Sequence, residues 1–267
     1  ADNQAMNPVT ANDLKGLSIP LSGSHKGQNG KLLIIGGSHL FHAASLWALT
    51  VASRIVDLVH YSSVPENNEI VQKIKEEFRN GIVVRREDVE SYIEEDDCIL
   101  IGPGMERNDE TEEITNRVLR QYPSKQWVID AGALQMLDLA VIPKNAILTP
   151  HHGEYRGMAD NQDPQEFARQ HDCIILLKGE KDIAASPMQV REIGGGNAGM
   201  TKGGTGDVLA GLIAALACKN EPFLATIAGS FINKRAGDAL YEKVGPYFNA
   251  TDLANQIPTT MKALLTP

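Results

Sequence analysis

The sequence predicts a doubly wound α/β fold, on three observations. Short apolar runs without polar alternation recur along the chain, as in strands of a parallel sheet covered on both faces. Helix-length stretches with charged faces lie between them, the order that gives parallel strands joined by right-handed crossovers. Glycines and isolated polar residues gather just after the runs, where open α/β sheets collect ligands.

In chain order the strand-like runs are 31-KLLIIGG-37, 54-RIVDLVHY-61, 81-GIVVRR-86, 98-CILIGPG-104, 126-QWVIDAG-132, 145-NAILTP-150 and 173-CIILLKG-179. Helices are predicted over 43–53, 66–78, 109–122 and 163–170. After Lys178 the pattern changes. Segments 181–186 and 188–193 read as a hairpin about Pro187, followed by the glycine-rich loop 194-GGGNAGMTKGGTG-206. Two longer helices follow, over about 207–218 and 222–240, the first with an apolar face of Val208, Leu209, Leu212, Ile213 and Leu216. The end, 251–267, reads as a short docked helix broken at Pro258. No repeat or linker interrupts the chain, so one domain over 1–267 is expected.

Of 267 residues, 42% are hydrophobic and 22% charged, which excludes collagenous and disordered classes. With 34 acidic against 25 basic residues the net charge is -9, which opposes nucleic acid as the main partner but leaves room for local phosphate sites. Cys98, Cys173 and Cys218 lie far apart in apolar runs, without paired spacing, and are expected as buried free thiols in a reducing compartment. The apolar stretch 212-LIAALAC-218 is far short of the ~18 residues of a membrane span, and the polar start lacks a secretory pattern. A cytoplasmic protein with no membrane partner is therefore expected.

Five strand ends carry glycine or polar groups: Gly36 to Ser38, Gly102 to Gly104, Asp130 to Gly132, Thr149 to Glu154, and Lys178-Gly179. Five in register argue for one crevice. The strongest local signal is Gly203-Gly204-Thr205-Gly206-Asp207 at the start of an apolar helix. Glycine N–H groups and the free donors of a first helical turn suit a phosphate. Thr205 is the expected N-cap, and Asp207 falls in the first turn, where the helix dipole favours a carboxylate. Neither a P-loop nor a dinucleotide-fold glycine spacing is present. Lys178 is a candidate for nucleotide phosphates, His151 a donor to a bound phosphate or amide, and His152 a less constrained neighbour. Glu154 is a candidate to hold Mg2+ through water. Lys26, His39 and His42 are candidates around the first strand-end loop.

Together 30-GKLLIIGGS-38, 99-ILIGPGM-105, 129-IDAGAL-134, 148-LTPHHGE-154, 176-LLKGEKD-182 and 197-NAGMTKGGTGD-207 carry a resemblance from about Lys26 to Gly237. The chain resembles the ADP- or ATP-dependent NAD(P)H-hydrate dehydratases, carbohydrate-kinase-like members of the ribokinase-like superfamily. The resemblance implies a three-layer α/β sandwich with a central, mainly parallel sheet, and here no epimerase domain of the kind that often precedes this one in the family. It also implies dehydration of NADHX or NADPHX with an adenine nucleotide and Mg2+, in a homo-oligomer such as a tetramer. By the same resemblance, Asp207 is the general base at the ring hydroxyl, and Ala43, Gly104 and His151 contact the hydrated dinucleotide. Lys178, Gly179, Glu180, Lys181 and Asp182 form the nucleotide-holding run, joined by Gly203, Gly204, Thr205 and Gly206. Departures from the family pattern are His42 for glycine, Gly132 for aspartate and His152 for proline. The alternative on the same fold is a kinase for a hydroxyl of a small metabolite, such as a vitamin precursor or sugar.

Overall fold

The structure is a computed structural model that describes residues 7–73 and 80–266. Its centre is a ten-stranded sheet among the described residues, ordered β1-β10-β9-β8-β7-β6-β5-β2-β3-β4. These strands are β1 Asn7–Pro8, β2 Lys31–Ile35, β3 Leu58–Ser62, β4 Ile82–Val83, β5 Cys98–Ile101, β6 Gln126–Ile129, β7 Ile147–Leu148, β8 Ile174–Leu177, β9 Asp182–Ala185 and β10 Val190–Ile193. Pairing across β4-β3-β2-β5-β6-β7-β8 is parallel, whereas β8–β9 and β9–β10 are antiparallel, the latter being the predicted hairpin. The helices are α1 His42–Ala52, α2 Pro65–Lys73, α3 Val89–Glu95, α4 Asp109–Gln121, α5 Ala131–Gln135, α6 His152–Ala159, α7 Pro164–His171, α8 Thr205–Ala217, α9 Pro222–Val244 and α10 Ala250–Leu265.

Alternate side chains of the buried strands feed two cores, so the runs read as continuously apolar. Leu32, Ile34, Leu100, Val128 and Leu176 join α1, α8, α9 and α10 on one face. Leu33, Ile35, Ile99, Ile101, Trp127, Ile129 and Ile175 join α3, α4 and α7 on the other. The result is the expected three-layer sandwich with a mainly parallel sheet. Local signals set the ends of several helices. Asn108 caps α4 by accepting from the Thr111 N–H at 2.9 Å, and Asp163 and Glu221 cap α7 and α9 ahead of a proline in the first turn.

Several boundaries differ from expectation. The run 54–61 becomes a strand only at Leu58, because Asp57 turns its carboxylate onto the Gly27 and Asn29 N–H groups at 2.8 and 3.1 Å. The run 81–86 shortens to Ile82–Val83, since Arg85 and Arg86 enter a 3-10 turn closed by Asp88. The predicted 66–78 helix is seen over Pro65–Lys73, and 74–78 lie outside the described residues. Pro258 does not break the last helix. An interior proline costs about 3 kcal/mol, but α10 is capped reciprocally by Asn249 and Asp252 and buries Leu253, Ala254 and Ile257. All three cysteines are buried and free. Among the described residues no helix is long and apolar enough to cross a membrane.

Candidate active site

The glycine-rich loop enters α8 through Gly204, which is the N-cap with φ 93°, and Thr205 is the first helical residue, not the cap. A glycine is required at 204: a Cβ there would lie 2.3 Å from Trp47 Cζ3. The Thr205 hydroxyl reaches back to the Met200 and Lys202 carbonyls at 2.7 and 2.9 Å and so fixes the approach of the loop. Thr205 N–H is used on Lys202 O, at 3.4 Å, while among the described residues Gly206 and Asp207 N–H have no backbone acceptor. These two are the free donors of the turn. Gly203 is exposed with nothing near it.

Four charges meet beside this turn. Lys178 ends β8, and its Nζ lies 3.2 Å from Asp130 Oδ1 at the end of β6. Asp130 is 2% exposed and also accepts from the Thr149 hydroxyl at 2.9 Å. A Cβ on Gly206 would sit 3.6 Å from Lys178 Nζ, so the ammonium stands against the turn. Burial works to lower the Lys178 pKa, but Asp130, Glu154 and Asp207 outweigh it and hold it above the ordinary value. Burial first, then Asp130 and Glu154 against the opposing pull of Lys178, pushes Asp207 up to about 7. The expected preference for a charged carboxylate at the helix start is thus overridden by burial among other acids.

His151 caps α6, its Nδ1 accepting from Gly153 N–H and Glu154 N–H at 3.0 and 3.1 Å. A ring nitrogen that accepts twice carries no proton, so the neutral ring donates only from Nε2. Glu154 completes a reciprocal cap by accepting from His151 N–H at 2.9 Å, and its other oxygen takes Gln135 Nε2 at 3.2 Å. A parallel bridge joins His151 to Lys178, which brings the histidine to the charge cluster. Across the crevice a Cβ on Gly104 would stand 2.5 Å from the Phe41 carbonyl, two residues before Ala43. His42 is the exposed first residue of α1, and His39 pairs with Glu66 at 3.5 Å on the surface. Lys26 is not at this crevice: it lies in the turn held by Asp57 at the amino ends of β2 and β3.

A cavity of about 520 Å³ extends from the turn, bounded by Lys178, Gly179, Glu180, Asp182, Thr205 and Gly206. Lys181 points elsewhere, pairing with Glu192 at 2.8 Å. Asp182 accepts from Gly179 N–H at 3.0 Å and from the Ser230 hydroxyl at 2.8 Å, so it shapes the 179–182 turn. Sequence reasoning missed Asn233 and Lys234, which line the same cavity from α9. Lys234 Nζ is 3.0 Å from the Glu180 carbonyl, and Asn233 Oδ1 is sealed with no hydrogen-bond partner among the described residues. The available signal was Asn233 and Lys234 directly after the apolar stretch 231–232 of a helix whose first half is largely apolar. A separate constellation, His60, Glu95 and Asp96, lies apart from the crevice. There the buried His60 Nδ1 meets Asp96 Oδ2 at 2.7 Å, and burial raises the Asp96 pKa.

Residues 32–259 match the Carb_kinase family, described as NAD(P)H-hydrate dehydratase. The chain belongs to this family. It is 40% identical over 260 residues to the bifunctional NAD(P)H-hydrate repair enzyme Nnr of Methanocaldococcus jannaschii, covering 94% of this chain and 52% of that protein. The chain therefore spans about half the length of this curated relative. A ribokinase-like superfamily protein of Enterococcus faecalis V583 superposes with a TM-score of 0.88 at 24% identity, covering 100% of this chain and 99% of that one. The ADP/ATP-dependent NAD(P)H-hydrate dehydratase of Bacillus subtilis, co-crystallized with ATP/Mg2+, gives 0.86 at 22%, covering 98% and 99%. The fold is ribokinase-like.

Gly132 and His152, two of the positions expected to depart from the family pattern, have distinct surroundings in the structure. A Cβ at Gly132 would stand 2.0 Å from the Met105 carbonyl, so this backbone admits no side chain there. His152, the first residue of α6, brings its Nε2 to 3.0 Å from where a Cβ on Gly179 would be. It therefore packs at the rim of the nucleotide-side turn.

Proposed function

We propose that the chain dehydrates NADHX or NADPHX to NADH or NADPH at the expense of ADP or ATP, releasing phosphate and AMP or ADP. The observation that carries this reading is Asp207: a half-buried acid raised to about 7, in a turn with free N–H donors and an ammonium beside it, in a chain of this family. An acid poised near neutral pH can take a hydroxyl proton and hold it.

In this reading Asp207 accepts the proton of the ring hydroxyl as its oxygen attacks the terminal phosphoryl group of the nucleotide. Gly206 and Asp207 N–H, with Lys178, receive the charge that develops on the transferring group. Hydroxide, a poor leaving group, has then become phosphate. The ring nitrogen expels it, and loss of a proton from the adjacent ring carbon restores the double bond. Gly179, Glu180 and the Lys234 side chain frame the nucleotide, while Asp182 keeps their turn in shape. Lys181, its ammonium held by Glu192, acts through its backbone, and Gly203 and Gly204 through the path of the loop. Ala43, Gly104 and His151 border the acceptor.

The donor set suits Mg2+. Asp130, Glu154 and Asp207 supply only hard oxygens, and three acids facing one ammonium leave negative charge in excess. Asp130, Glu154 and Asp207 are the residues that would hold the ion, Glu154 through water. When bound, the ion would neutralise phosphate charge. The crevice mouth exposes Leu40 and Phe41 at 67% and 51%, apolar surface that suits coverage by a second copy in a homo-oligomer. Sedimentation across a concentration series checks that assembly. The buried free thiols fit a reducing cytoplasm.

Incubating the protein with NADHX or NADPHX, Mg2+ and either ADP or ATP is expected to restore the absorbance of the reduced cofactor with one phosphate released per ring. Absence of recovery with either nucleotide, together with stable phosphorylation of a small alcohol, would instead establish a metabolite kinase.

A further inference from the structure

The acceptor residues discussed so far account for one end of a dinucleotide, and a second cavity shows where the rest can go. It measures about 280 Å³ and opens beside the crevice, sharing His151 and Glu154 with it. Whole small-molecule sites run to ~300–1,000 Å³, so this volume fits part of a larger ligand. Arg107 is the one cation on its wall among the described residues. It follows Gly104 by three residues, a backbone span of about 11 Å at most. Arg107 is exposed, and no described carboxylate pairs with it. An arginine on a concave wall without a partner has its full fork of donors available.

The other polar groups of the cavity are already ordered. Glu154, its only acid, has one oxygen on His151 N–H and the other on Gln135 Nε2. His151 Nδ1 is occupied by two backbone N–H groups, so the neutral ring donates from Nε2–H, which stands 3.6 Å from Glu154 Oε2 and can turn its donor to a ligand at the cavity wall. One guanidinium and one ring N–H on the same cavity wall suit an anion with several oxygens.

We propose that Arg107 binds the diphosphate of the hydrated dinucleotide, with His151 Nε2–H as a second donor, and thereby sets affinity for the acceptor. This inference rests on the dehydratase reading. The nicotinamide end lies against Asp207, Gly104 and Ala43, and the diphosphate passes His151 to reach Arg107. Arg107 does not line the 520 Å³ nucleotide cavity, so it acts on one substrate only.

Steady-state kinetics of the wild type, Arg107→Met and Arg107→Lys with NADHX and either nucleotide test this. Arg107→Met is expected to raise the KM for NADHX by about tenfold to a hundredfold, with kcat and the nucleotide KM within twofold of wild type. Arg107→Lys, which keeps the charge but loses the fork, should fall between. An unchanged KM for NADHX overturns the inference and leaves the dehydratase reading intact. So does a parallel loss of kcat and nucleotide affinity, which would mark a structural role. A wild type that restores no reduced cofactor overturns the dehydratase reading itself, and this inference with it.

Discussion

Trp47 occupies the space that a side chain on residue 204 would need: a Cβ on Gly204 would lie 2.3 Å from Trp47 Cζ3 and 2.8 Å from the Ala250 Cβ. The indole is itself tied to α10, since its Nε1 donates to the Thr251 hydroxyl at 3.2 Å. The glycine turn is thereby wedged between α1 and α10.

Gly204→Ala is expected to lower stability by roughly 2 kcal/mol or more, combining a left-handed backbone with overlap against the indole. Gly203→Ala, next to it and facing open space, should stay within about 0.5 kcal/mol. Urea unfolding of the two variants makes the comparison, and equal losses would remove Trp47 as the cause.

Asp207→Asn keeps the size and hydrogen-bonding reach of the side chain but cannot accept the hydroxyl proton. Turnover should drop about 10²- to 10⁴-fold while nucleotide KM changes little. Retention of near wild-type kcat would remove Asp207 from the chemistry.

The kcat/KM of the wild type for the hydrated dinucleotide should rise with pH through an inflection near the value of about 7 given to Asp207 by its burial. The same group affects stability with a definite sign. Its native pKa lies above the ordinary 3.8, so its contribution is complete below that value and is lost as pH rises through about 7. Asp207→Asn, which stays neutral, should therefore gain stability relative to wild type across that window. Paired denaturant curves at several pH values measure the gap.

Removing the ammonium at Lys178 strands the Asp130 carboxylate, which is 2% exposed. Lys178→Met is expected to destabilise by about 3 kcal/mol, and adding Asp130→Asn should recover part of that, because the uncompensated charge is gone. Additive losses in the double variant would show that the two residues do not interact.

The layered architecture was legible because strands buried on both faces cannot alternate: Leu32 and Ile34 serve one core while Leu33 and Ile35 serve the other. Where a boundary depends on a side chain bonding to a distant backbone, the local pattern is silent. Asp57 delays β3 by bonding residues 27 and 29, and no window around 54–61 contains that partner. The Asn7–Pro8 edge strand, paired with β10 far along the chain, was invisible for the same reason. The 152–159 helix did carry a signal that was overlooked: His151 and Glu154 stand at the spacing of a reciprocal cap, with histidine in place of the usual serine or threonine.

At the site, the glycine turn and Asp207 were readable because a turn and the helix it opens are adjacent in sequence. The charge balance was not. Asp130, Glu154 and Lys178 come from distant parts of the chain, and it is burial, with Asp130 and Glu154 outweighing the pull of Lys178, that raises Asp207 instead of leaving it an ordinary capping acid. Lys181 illustrates the reverse: its place in the 178–182 run says nothing of the Glu192 carboxylate on the adjoining strand that draws it away.

Every residue of α8 from Val208 to Ala217 is buried, so the helix bearing the glycine turn cannot shift without opening the core around it. By contrast, His39 to His42, bordering the acceptor, are exposed. This separates what can vary from what cannot. Under the proposed function, substitutions in the exposed segment would alter acceptor contacts one residue at a time without disturbing the core that holds the glycine turn.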